Sequence, residues 1–279
     1  MTTTERKPSQ TAVLIAAYRG RATLRPKPIC HDPWAARLAG SDGETLADQQ
    51  DAINPYLELW TAVRTAYLDQ HVNHWTGERG YRQVVLLGAG LDCRAARLAR
   101  PGVRYFEVDH PASQAYKRRR VGDLAGYPAH AATYVACDFE HENFLEALVE
   151  SGFSTTQPAL ILWEGVTPYL PEAAVRATLT RVAKGCDPRS VLLFDVLHRA
   201  QRRVVRDDDT RAFVSALGEP VLFGTSDIVP MLFESGFAHA RSVSWDEACL
   251  SLTGTYLRER EFRFQRMVLC SRTATVHTM

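Results

Sequence analysis

The sequence predicts an α/β protein: a doubly wound, seven-stranded, mostly parallel sheet behind a helical N-terminal cap. Three observations carry that reading. The stretch VVLLGAGLDCRAARL at 84–98 runs from four apolar residues through a glycine turn into an Ala/Leu/Arg segment at helical spacing. After it, short apolar runs alternate with helical segments, the order that builds a parallel sheet covered on both faces. Before it, residues 1–80 carry helical periodicity and no clear strand.

Residues 1–10 read as frayed. TAVLIAAYRGRA places Val13, Ile15, Ala16 and Ala17 on one side of a helix started by Ser9 or Thr11. Pro26 and Pro28 end it. DPWAARLAG restarts a short helix, with Asp32 as N-cap and Pro33 at the first helical position. NPYLELWTAVRTAYLDQHVNHW then carries the stripe Leu57, Trp60, Val63, Ala66, Tyr67 and Leu68. Strands are expected at 83–88, 104–109, 133–138, 159–165, 190–197, 240–245 and 264–272. Helices are expected at 92–99, 112–120, 142–150, 171–184 and 226–235. The polar stretch 199–225 is long for a connection and reads as a lid or insertion over the site. The expected division is a cap, 1–80, that contributes to the site, and a main domain, 81–279.

Composition narrows the function classes. The chain has 279 residues, 46% hydrophobic and 23% charged, enough to bury an ordinary core. A formal charge of +1 argues against an obligatory nucleic-acid partner, and the basic run YKRRR at 116–120 reads as a solvated helix face. Six dispersed cysteines without a CxxC pair suggest reduced thiols in the cytoplasm. No signal peptide is visible, and no apolar run approaches the ~18–20 residues that cross a bilayer. His71 and His74 lack a nearby third ligand, and DDD at 207–209 reads as solvated loop, so no metal is expected.

The glycine turn asks which nucleotide it holds. Gly88 and Gly90 fit the first two positions of a dinucleotide fingerprint, but Cys93 occupies the third and Asp92 puts a negative charge beside the phosphate position. The acids downstream improve on the glycines. Asp109 ends the second strand, where a carboxylate accepts both ribose hydroxyls. Asp138 ends the third beside Phe139, a pair suited to the amine and face of an adenine. Glu164 ends the fourth in WEGVTPYL. Each acid alone could equally cap a helix, but together they mark the carboxyl edge where open α/β sheets bind ligands. The ligand implied is a phosphate-free adenosine with a positive centre, S-adenosylmethionine, its methionine part over Gly88, Ala89 and Gly90.

LLGAGLDCRAARL, YFEVDHPASQAYKRR, ACDFE, LWEGVTPYL and FDVLH together resemble the leucine carboxyl methyltransferase family, over roughly residues 10 to 200. The resemblance implies a class I methyltransferase fold. It implies that Arg64, in the helix before the first strand, holds the methionine carboxylate, and that a basic residue of the N-terminal helix closes over the cofactor. Arg19 or Arg21 is the nearest match, with Arg19 preferred. It places Glu164 and Tyr169 beside the methionine amine and the methyl group, and His110 of VDHP with the cofactor residues. Cys93 stands where the family usually has Thr.

Methyl transfer is an in-line displacement that rests mainly on positioning. A carboxylate acceptor needs no base, whereas a hydroxyl needs one nearby; His198, His110 and Tyr169 are the candidates. The expected function is O-methylation of a carboxylate, or hydroxyl, of a small metabolite such as a polyketide or other natural product. A protein C-terminal carboxyl methyltransferase and a non-catalytic nucleoside-binding protein are the alternatives. A NAD(P) dehydrogenase is disfavoured by the missing third glycine. Oligomeric state is not legible.

Overall fold

The protein is described by a computed structural model at residues 9–138, 142–199, 205–255 and 265–277. Seven strands form one sheet in the order β3-β2-β1-β4-β5-β7-β6. They are β1 (Gln83–Leu87), β2 (Arg104–Asp109), β3 (Ala132–Ala136), β4 (Ala159–Trp163), β5 (Val191–Leu197), β6 (His239–Ser244) and β7 (Gln265–Ser271). Every pairing from β3 to β5 is parallel, and β7 runs antiparallel to both β5 and β6. Sequence order reverses between β1 and β4, which opens a crevice at their carboxyl ends.

Alternation along the strands gives each face its own core. Val84 and Leu86 of β1, Leu160 and Leu162 of β4, and Leu193 of β5 face the N-terminal helices. Val85, Leu87, Ile161, Trp163 and Phe194 face the other way. That second side is covered by α6 (Phe144–Glu150), α7 (Glu172–Gly185) and α9 (Val229–Ser235). The first is covered by α1 (Gln10–Thr23), α2 (Ala35–Asp51) and α3 (Leu57–Asn73), so these helices contribute to the sheet's own core.

Local chemistry sets the element ends. Ser9 Oγ accepts from Ala12 N at 3.0 Å and starts α1. Asp32 Oδ1 accepts from Trp34 N and Ala35 N at 3.2 and 3.1 Å and folds a turn there, so α2 starts two residues later than expected, with Trp34 and not Asp32 at its N-cap. That helix continues past a kink at Gly40 and is longer than the sequence suggests. The helix after the glycine turn shrinks to α4 (Arg94–Arg97), because Asp92 Oδ1 accepts from Arg94 N at 2.6 Å and holds the preceding residues in a turn. Past β6, α10 (Trp245–Thr253) is a helix the strand reading missed; Ser244 and Glu247 form a reciprocal capping box there. DDD at 207–209 lies in α8 (Val205–Ala216) and not in a loop. The six cysteines are free and buried. Among the described residues no helix is long and apolar enough to cross a membrane.

The reading of YKRRR as a solvated face needs one correction. In α5 (Pro111–Gly122), Arg118 and Arg119 are exposed, but Lys117 is buried with its ammonium 2.5 Å from Glu107 Oε2. It also donates to the carbonyl of Asp92. Lys117 therefore ties α5 to the underside of the glycine turn.

His71 of α3 is 4% exposed, and its Nδ1 has no hydrogen-bond partner. Burial, with help from His74 and Arg241, lowers its pKa to about 4. The unfolded chain binds this proton near pH ~6.5, so the stability from neutral His71 is complete above that value. It is lost as pH falls towards about 4. Two and a half units correspond to about 3 kcal/mol. His71→Leu should flatten this part of the pH dependence in urea melts; an unchanged slope between pH ~6.5 and ~4 would assign the acid lability elsewhere.

Candidate active site

A cavity of about 540 Å³ opens at the carboxyl ends of β1, β2, β3 and β4, a size usual for small-molecule sites. Its floor is the turn after β1. Gly88 and Gly90 adopt φ of 68° and 49°, the left-handed region where L side chains are strained. A Cβ on Gly88 would also lie 2.4 Å from Val166 Cγ2, so the turn after β4 packs directly on the first turn.

The amides of this turn are engaged within the protein. Gly88 N and Ala89 N donate to Val108 O at 2.8 and 3.2 Å. Gly90 N donates to Asp109 Oδ2 at 2.5 Å, and Asp92 N donates to Ala89 O at 2.8 Å. A pyrophosphate bound at such a turn needs these N–H groups pointing at it. Asp92 adds a fixed charge: burial pushes its carboxyl up, but Arg94, Arg19, Arg97 and Lys117 outweigh that and hold it at about 2.

Asp109 reaches across the crevice. Oδ2 accepts from Gly90 N and Oδ1 from His110 N at 2.7 Å, so one carboxylate fixes the turns after β1 and β2. Each oxygen keeps a further lone pair for a ligand hydroxyl. Burial pushes this carboxyl above its ordinary value, against the lowering by those two backbone bonds. His110 caps α5 by accepting from Ala112 N at Nδ1, 3.1 Å. That bond assigns the neutral ring its proton at Nε2, which lies 3.9 Å from Asp138 Oδ2.

Opposite the acids, Glu164 sits between two arginines. Arg94 donates from a terminal nitrogen to Oε2 at 2.6 Å, and Arg64 Nε pairs with Oε1 at 2.8 Å without hydrogen-bond alignment. Burial raises the Glu164 carboxyl, but Arg94 and Arg64 outweigh it and hold the group below its usual range. Arg64 also reaches Asp195 Oδ2 at 3.3 Å and stacks 4.1 Å from the Trp60 ring. Asp195 in turn accepts from Gly165 N and Gln265 Nε2, both at 2.6 Å. Burial pushes its carboxyl up, with Arg64 opposing.

With this geometry in view, the comparisons with known proteins decide the family. Residues 12–183 match the leucine carboxyl methyltransferase family. The chain belongs to that family. A relative in Mycolicibacterium smegmatis, provisionally named an S-adenosyl-L-methionine-dependent methyltransferase, is 36% identical over 194 residues, 65% of this chain and 64% of its own length. A second from the same organism, similarly named, is 34% identical over 224 residues, 75% of this chain and 69% of its own. The chain thus spans less than two-thirds of the first relative's length. Among solved structures, a DUF574 family protein of Streptomyces avermitilis superposes with a TM-score of 0.68 at 14% identity, covering 94% of this chain and 97% of its own. A Thermobifida fusca protein provisionally described as a methyltransferase gives 0.64 at 16%, covering 96% of each. The fold is that of the class I methyltransferases.

Within this family member the sequence candidates gather closely. Arg19, Arg64, Gly88, Ala89, Gly90, Asp109, His110, Asp138, Glu164 and Tyr169 all line the cavity. Phe139 lies outside the described residues. His198 is the exception: it bridges to Thr225 in a short parallel pairing and does not line the cavity. Arg19 and Arg21 separate. Arg21 binds Glu44, Asp48 and Asp51 on α2, whereas Arg19 lines the cavity and bonds Asp32 at 3.0 Å and Leu91 O at 2.6 Å. Sequence reading missed Arg94, Trp60, Asp195 and Glu219. Arg94 stood inside the quoted GAGLDCRAARL, and its distance from Glu164 in sequence hid the pairing.

Gly88→Ala should lose about 1–2 kcal/mol to the left-handed backbone and a further ~1–3 kcal/mol to the contact with Val166. Adding Val166→Ala should recover only the second part in denaturant unfolding. Full recovery would mean that packing, and not backbone conformation, requires the glycine.

Proposed function

We propose that the chain is an S-adenosylmethionine-dependent O-methyltransferase with a small-metabolite acceptor. The observation that carries this reading is the engagement of the glycine-turn amides inside the protein beside strand-end carboxylates. Such a site rejects phosphate and suits a nucleoside with a cationic centre. The donor set fits that cofactor. Asp109 would accept from the ribose hydroxyls, Asp138 from the adenine amine, Arg64 would meet the methionine carboxylate and Glu164 its amine. When bound, the cofactor supplies a methyl group on a sulfonium that departs as a neutral thioether.

The protein's part is positioning and exclusion of water. The Gly88 turn and the Val166 turn close on each other from two sides. Thr167 donates to Asp195 O at 2.6 Å, which seats the turn carrying Tyr169. Burial raises the Tyr169 hydroxyl well above the ordinary tyrosine value, so at neutral pH it is a donor and not a phenolate base. Leu217, Gly218 and Glu219 cover the cavity together with Ser9, Gln10 and Thr11 at the start of α1, joined by the hydrogen bond from Thr11 to Glu219. That cover supports a small acceptor over the C-terminus of a protein.

Calorimetry should show binding of S-adenosylmethionine and of its demethylated product, with NAD and ATP silent. Asp109→Asn should weaken that binding by roughly 1.5–3 kcal/mol, the range for hydrogen bonds to a charged group, in a protein that still melts cooperatively. Tighter binding of NAD, or unchanged affinity in Asp109→Asn, would overturn the assignment of the nucleoside site.

A further inference from the structure

The cavity wall carries more negative than positive charge. Among the described residues, Asp92, Asp109, Asp138, Glu164 and Glu219 line it against Arg19, Arg64 and Arg94. All three arginines already hold acids of the protein: Arg19 holds Asp32, Arg64 holds Glu164 and Asp195, and Arg94 holds Asp69, Asp92 and Glu164. Their charge is matched within the protein, and on the methyltransferase reading Arg64 also faces the methionine carboxylate, so none is left over for an acceptor.

Glu219 stands apart from these pairs. It follows α8 and lines the cavity beside Thr11, within electrostatic reach of the Tyr169 hydroxyl. One carboxylate oxygen accepts from Thr11 Oγ1 in the first turn of α1, and no described lysine or arginine forms an ion pair with it. The neighbours of this carboxylate are a helix N-terminus and one hydroxyl, neither of which carries a full opposite charge. Ile15, Leu170 and Leu217 supply apolar wall nearby, and Trp60 an aromatic one.

Building on the methyltransferase reading, we propose that Glu219 selects the acceptor. It favours an apolar-bodied molecule that presents a hydrogen-bond donor, a hydroxyl or a protonated amine, and it turns carboxylates away. A carboxylate brought beside Glu219 would meet a like charge with no free guanidinium to bind it, and such juxtapositions are costly. The methylated oxygen is then a hydroxyl: its bond to the methyl carbon forms as the carbon–sulfur bond breaks, the bonding pair stays on sulfur, and the hydroxyl proton passes to the Glu219 carboxylate and from there to solvent. The transferred methyl is an ether and not an ester.

The test uses three phenols of similar size with different charge. Tyramine, 4-ethylphenol and 4-hydroxyphenylacetate are titrated by calorimetry into protein saturated with the demethylated cofactor. The anion should bind at least about tenfold more weakly than the cation, the effect of one nearby like charge at partial exposure. Glu219→Gln should shrink that ratio towards unity and Glu219→Lys should invert it, each in a variant with a cooperative melt. In a second measurement, protein and methyl-labelled S-adenosylmethionine are incubated with a small-molecule extract, and the labelled product is held in mild alkali. An ether retains its label, whereas an ester releases methanol.

A carboxylate that binds as well as the amine would overturn the proposal. So would a ratio that Glu219→Gln leaves unmoved, binding of none of the three phenols, or release of label as methanol. Saturation with the demethylated cofactor is measured first. If that step fails, the nucleoside reading falls, and the charge order of the three phenols on the free protein still tests Glu219 separately.

Discussion

The carboxylate of Glu164 is the constraint on which the site depends. It directly follows β4, and it is bound by Arg64 from α3 and Arg94 from the start of α4. Removing ions from water costs several kcal/mol each, and leaving one unpaired in the interior is worse. The cap helices therefore cannot shift against the sheet without stranding a charge. Asp69 extends the same logic outward, since it holds Arg94 and Arg97 together. Asp195 extends it to β7 through Gln265, whose side chain is also the acceptor for the Trp60 indole. Apolar replacements of equal volume could match the stability of this network, so its value lies in orientation. It fixes where Glu164, Arg64 and the Gly88 turn stand relative to one another.

How much of this was legible follows from range along the chain. The strands were legible because continuous apolar runs in β1, β4 and β5 leave little alternative once both faces are covered. The strand-end acids were legible because a parallel sheet places all its carboxyl ends on one edge, so register alone brings Asp109, Asp138 and Glu164 together. What the periodicity could not show is which charge pairs with which. Arg94 and Glu164 are 70 residues apart, and Arg64 and Asp195 are 131. Lys117 looked like part of a solvated run because its partner Glu107 lies inside a strand, where a buried carboxylate has no local signal. α10 was missed for the opposite reason. Its capping box was present in the sequence, but Trp245, its first residue, read as the end of the strand before it.

His198 shows the limit of reasoning from strand ends. It follows β5 as Asp138 follows β3, yet its backbone is drawn into pairing with Thr225. Position along a strand predicts proximity to the crevice only while the chain is free to turn over it. The segment after β5 leaves the sheet edge and returns through Leu222 and Phe223, whose N–H groups both donate to Pro168 O. That return carries Glu219 to the cavity and leaves His198 beside it.

The two halves of the cavity wall therefore obey different rules. One is built from strand termini and two glycine turns, so its chemistry is set by sheet register and reads directly from spacing. The other is assembled from the first turn of α1, the Tyr169 turn and the return after α8, three pieces without a shared periodicity. In the first, Glu164, Arg64 and Arg94 are bound to one another and cannot change singly without exposing a partner. Glu219 in the second is matched by a neutral hydroxyl, so it can be exchanged without stranding an opposite charge. Acceptor choice in this architecture can vary by single residues of the second while the Glu164 network, locked by its own ion pairs, stays as it is.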